Sequence, residues 1–79
     1  MDVMTYNGYE IRAVPHQLAD SGEWTVNIVI LKHHSDRVAS RQFSASSTFR
    51  SRDETVRHCL AFAQQIIDGK SEKCSVKDL

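Results

Sequence analysis

The stretch "SRDETVRHCLAFAQQIIDG", residues 51 to 69, constrains this chain more than any other. Ser51 followed by Glu54 is a capping box: the serine hydroxyl accepts from the Glu54 amide and the glutamate reaches back to the serine amide. Asp53 and Glu54 put negative charge in the first turn, where the helix dipole favours it. Val56, Cys59, Leu60, Ala63, Ile66 and Ile67 then recur at spacings of three and four, one continuous apolar stripe. Gly69 supplies the left-handed residue that ends a helix, and Lys70 follows it. Start, face and stop agree on a helix from about 52 to 68. Such a helix is marginal alone and needs a surface to cover its stripe.

Upstream the period changes to two. In "EWTVNIVILKH", Trp24, Val26, Ile28 and Ile30 alternate with Thr25, Asn27, Val29 and Leu31, and the β-branched enrichment predicts a strand. In "GYEIRAVP", Tyr9, Ile11 and Ala13 alternate with Glu10, Arg12 and Val14, and Pro15 suits the end of a strand at a sheet edge. "HQLADSG" carries hairpin turn chemistry, and "HHSDR" forms a second turn. A third strand falls in "RVASRQFSA", whose small and polar residues leave its register open. The expected fold class is α+β: a three-stranded antiparallel meander (β-β-β-α) with one C-terminal helix packed on one sheet face. A helix of about 17 residues and a strand of about eight each span roughly 26 Å, so the lengths match. Residues 1–70 form the single domain, and 71–79, without a packing period, a flexible tail. The other sheet face stays open. Val14, Val29 and Leu31 would point there, a candidate interface for a second copy or a protein partner.

Seventy-nine residues leave little core to spare for an enclosed active site. Residues with catalytic or metal-binding chemistry are present but wrongly spaced for it. His33 and His34 are adjacent and face opposite ways on a strand; His58 and Cys59 diverge by about 100° on a helix. No pair has the zinc-site spacings, so no metal and no cofactor is expected. Cys59 lies in the packing stripe, where burial raises a thiol's pKa and makes it inert. No serine sits in a Gly-x-Ser-x-Gly elbow, and Gly8, Gly22 and Gly69 are isolated, so no loop cradles phosphate. No catalytic residue is expected. Two cysteines are too few for a disulfide framework, which suits a reducing, cytoplasmic setting. Neither a secretory profile nor a run of about 20 apolar residues stands in the chain, so no membrane role is expected.

Ten basic and ten acidic side chains cancel, which argues against a protein that coats nucleic acid. Their distribution is uneven. Over 1–31, four acids against Arg12 leave minus three; over 32–58, six cations against Asp36, Asp53 and Glu54 leave plus three. Arg37 and Arg41 would lie four apart on one face of the third strand, and Arg50, Arg52 and Arg57 surround the helix start. This cluster is the candidate site for an anion or nucleic acid. A solvated mixed-charge surface is the plainer alternative.

At Tyr9, Ile11, Pro15, Trp24, Phe49, Glu54 and "IIDG" at 66–69, the chain resembles a group of small bacterial proteins of uncharacterised function. The resemblance covers residues 6–69 and implies a compact strand-meander-plus-helix domain; it implies no activity. The resulting expectation is a non-catalytic binding domain, homodimeric through its open sheet face, with an arginine-based nucleic-acid-binding accessory protein as the alternative.

Overall fold

The computed structural model describes residues 2–71, 74–76 and 79. Five strand segments, β1 (Val3–Tyr6), β2 (Tyr9–Ala13), β3 (His16–Gln17), β4 (Trp24–His33) and β5 (Val38–Phe49), precede one helix, α1 (Arg52–Ile67). All pairings are antiparallel. The α+β class and the single covering helix are as expected, whereas the strand count is higher than three for two physical reasons.

The first is a hairpin at the N-terminus. Asn7 and Gly8 both have positive φ, 50° and 82°, the conformation of a two-residue type I′ turn, and Tyr6 pairs with Tyr9 across it. β1 is too short to show a period, but Asn-Gly between apolar residues is itself a hairpin signal. The second is Pro15. Glu10↔Leu31 through Ala13↔Ile28 and then His16↔Thr25 and Gln17↔Trp24 keep one register, so β2 and β3 are one lane interrupted at Val14 and Pro15. Ala13 donates to Asp2 on the β1 side and Val14 donates to Asn27 on the β4 side. By alternation the nitrogen of Pro15 faces the side where β1 has run out, so its missing N–H leaves no ladder bond unmade.

The sheet is therefore a four-lane meander, β1, β2 with β3, β4, β5. β5 runs four residues beyond the expected strand and absorbs Ser46 and Ser47 as a bulge, because Thr25 pairs with Thr48 and Val26 with Ala45.

Helix α1 lies on the face of Ile11, Ala13, Val26, Ile28 and Ile30, and those five with Val56, Cys59, Ala63 and Ile66 form most of the core. Ile11, Ile28 and Ile30 are fully buried, each worth about 2–3 kcal/mol of apolar transfer. Ser51 caps the helix by accepting from the Glu54 amide at 3.1 Å. Gly69 at φ 76° closes it in a Schellman motif, with Gly69 donating to Ile66 and Lys70 to Gln65. Of the segment read as a tail, Val76 is only 5% exposed and joins the core, with Cys74 and Leu79 packed against it. A lone valine has no period to announce it.

Candidate functional site

The five arginines separate to two ends of the molecule. Arg41 and Arg50 are nine residues apart along β5 and its exit, roughly 30 Å of extended chain. Arg37 closes the β4–β5 turn one residue before β5 begins, its carbonyl accepting from the His34 amide at 2.8 Å. Arg41 lies on the helix side of the sheet, paired with Ile30, where its Nη1 donates to the Ser75 carbonyl at 3.2 Å.

At the helix entry the cations are matched by acids. Arg52 forks onto Asp2, Nη1 to Oδ1 at 3.3 Å and Nη2 to Oδ2, a contact spanning fifty sequence positions. The guanidinium holds the Asp2 carboxyl below its ordinary value and is itself held more firmly protonated. Arg57 borders a shallow depression with Asp2, Asp53, Val56 and Leu60. Arg50, Arg52 and Arg57 against Asp2, Asp53 and Glu54 sum to zero. Glu23 adds a further carboxylate nearby by accepting from Thr48 Oγ1 at 2.7 Å.

The hairpin end differs. Lys32 and Arg37 against Asp36 leave plus one, with His33 and His34 among them. Lys32 Nζ lies 4.7 Å from the centre of the Tyr9 ring, an orientation that fixes the ammonium without neutralising it. Arg37 and Asp36 approach only to 3.7 Å, both well exposed; such a pair holds little. The adjoining acid, Glu10, is already engaged: Arg12 Nε donates to it and His33 Nε2 lies 3.1 Å away. Arg12 first and His33 second hold the Glu10 carboxyl below its ordinary range. β2 reaches Tyr9, beside Lys32, so what extends past that lane is a short tip, His33 paired with Val38 and the turn between them.

The sheet register sets Val14, Val29 and Leu31 on the open face. Val14 is 37% exposed there. Across the ladders Val29 stands between Arg12 and Gln42, and Leu31 between Glu10 and Ser40. The aliphatic residues thus form a single column between polar ones, and Asn27 closes on Thr25 at 2.7 Å beside them.

Cys59 is free and fully buried, its thiol facing the Asn27 carbonyl at 3.6 Å. Burial raises its pKa. Two relationships escaped the sequence reading. One is the Glu10, Arg12 and His33 group, whose Glu-x-Arg spacing on a strand was a signal available in the sequence. The other is Tyr6, whose hydroxyl donates to the Asp68 carboxylate at 2.9 Å, binding the first hairpin to the helix end.

Among the described residues these features define a small sheet domain covered by one helix, with Lys32 and Arg37 at the hairpin end. The chain belongs to the HlyU family, described as "Transcriptional activator HlyU", which it matches over residues 1–74. That description is of a transcription regulator and not of an enzyme, and it extends the resemblance noted above, which implied no activity. No curated protein and no solved structure matches the chain. No helix among the described residues is long and apolar enough to cross a membrane.

Proposed function

We propose that this chain is a non-catalytic transcription-regulating domain that engages nucleic acid through the β4–β5 hairpin end, in the cytoplasmic setting such a role requires. The observation that carries the reading is the family match over residues 1–74. The surface follows from charge and shape. The described residues hold one helix, and a helix-turn-helix needs two, so the reading turns to the sheet. Lys32 and Arg37 at its hairpin end provide the phosphate contacts. With a formal net charge of zero, affinity depends on this local excess rather than on a general basic field.

The test is fluorescence anisotropy of labelled duplex and single-stranded DNA at about 50 and about 200 mM salt, a range over which phosphate contacts weaken steeply. Binding at low salt that falls at high salt is expected. No binding of either form at low salt sinks the reading.

A further inference from the structure

Three side chains meet on the open face beside the hairpin tip. Glu10 pairs with Leu31 across β2 and β4, and alternation puts Arg12 on β2 and His33 on β4 on the same face as that pair. Arg12 Nε donates to Glu10 Oε2, and His33 Nε2 lies 3.1 Å from Oε1. One carboxylate thus gathers a donor on each oxygen. The acid is the inner member, its side chain 21% exposed against 55% for Arg12 and 57% for His33. Among the described residues Arg12 makes its side-chain contact through Nε and His33 through Nε2, which leaves the two Nη groups and Nδ1 for an outside ligand.

What that ligand meets depends on a proton. Glu10 is held ionised by Arg12 first and His33 second, so it accepts and Nε2 carries the hydrogen. In neutral His33, Nδ1 is then a bare acceptor that repels a phosphate oxygen; a proton there makes it a donor. Arg12 and Glu10 cancel with a neutral imidazole, and the three side chains carry plus one with a charged imidazole. The other charged and titratable groups near His33 are His34, Asp36 and Arg37 in the adjoining turn, where Asp36 and Arg37 approach to 3.7 Å. β5 sets Val38 opposite His33, and Lys32 turns to the other face, over Tyr9.

We propose that Arg12 and His33 form a further phosphate site for nucleic acid on the open face, open to its ligand when His33 is protonated. The inference rests on the nucleic-acid reading above and adds a second contact and a control by pH. Imidazole ordinarily charges near pH 6.5, so the comparison is between about pH 5.5 and about pH 7.5. Anisotropy of labelled duplex DNA at about 50 mM salt should show binding about three- to tenfold tighter at the lower pH, with a slope against log salt steeper by about 0.9. His33→Gln should bind at both pH values as the wild type does at the higher one. His33→Arg, which fixes the charge, should bind at the higher pH about as tightly as the wild type at the lower. His34→Gln should keep the pH response. Arg12→Gln should lose about three- to tenfold at the lower pH, because the remaining imidazolium is offset by Glu10. Arg12 and His33 are exposed, so these replacements leave the core intact. Equal wild-type affinity at the two pH values, or a pH response that survives His33→Gln, overturns the inference while the nucleic-acid reading stands. So does an Arg12→Gln variant that binds as the wild type does at the lower pH. Absence of binding at both pH values overturns the reading and the inference together.

Discussion

Phe49 and His58 stack with ring centroids 4.0 Å apart and planes 10° from parallel. The contact joins the last residue of β5 to the second turn of α1, so the direction in which the helix leaves the sheet is fixed by two flat rings as well as by the Ser51 cap. Stacked aromatic pairs contribute about 0.5–1.5 kcal/mol beyond area burial. His58→Ala should lower the unfolding free energy by about 1 kcal/mol, with His58→Phe retaining most of it. Urea unfolding of the three proteins decides this, and an alanine variant as stable as the wild type would show that the stack is incidental.

The Asn7–Gly8 turn makes a second energetic claim. Gly8 has φ 82°, and an added Cβ would meet only Lys32 Nζ, at 3.2 Å, the far end of a flexible chain that can withdraw. The cost of Gly8→Ala is therefore in the backbone, about 1–2 kcal/mol for an L-residue held left-handed. Asn7→Gly should be nearly neutral, since position 7 also has positive φ. Thermal unfolding should show a drop of roughly 4–8 °C per kcal/mol for a domain of this size. An equal loss in both variants would contradict the turn geometry.

How legible was this molecule in its sequence? The helix could be read because cap, stripe and terminal glycine are local and independent, and each formed. β4 and β2 could be read because Trp24 to Ile30 and Tyr9 to Ala13 alternate. The missing parts lacked either length or locality. β1 has too few residues for a period; the bulge at Ser46 and Ser47 breaks the one β5 would show; Val76 is a single apolar residue among polar ones. The candidate site suffered most, because what a cation can do depends on which acids lie beside it. Arg52 is neutralised by Asp2 across fifty positions, while Lys32, which seemed only to end an apolar strand, stands over Tyr9 at the base of the β4–β5 tip.

The Asp2–Arg52 pair predicts a pH dependence with a definite sign. Its guanidinium lowers the folded-state pKa of Asp2 below the ordinary 3.8, so the pair stabilises the fold above that value and the contribution is lost as pH falls through the folded pKa. Wild type should therefore melt above Asp2→Asn at pH 6 to 7, with the difference shrinking as the solution is taken below about pH 4. Both side chains are exposed, so the difference will be small. Glu10 titrates in the same region but is common to both proteins and cancels. A gap that stays constant from pH 7 to pH 3 would assign the effect to something other than this carboxylate.

The unequal charge of the two ends yields the sharpest test of nucleic-acid binding. Each phosphate contact removed from a duplex complex lowers the slope of log affinity against log salt by about 0.9. Lys32→Gln with Arg37→Gln takes two cations from the hairpin end, where Asp36 pairs only loosely with Arg37 and Glu10 is held by Arg12 and His33. The slope should fall by about 1–2, and affinity at low salt by roughly tenfold or more. Arg50→Gln with Arg57→Gln removes the same formal charge from the helix entry, where Asp2, Asp53 and Glu54 already offset it, and should change affinity by about twofold or less. Equal losses from the two double variants would mean that the duplex feels only net charge, and the hairpin would have no special part. A greater loss at the helix entry would move the interface to the other end of the sheet, where Arg52 would have to leave Asp2 to reach a phosphate.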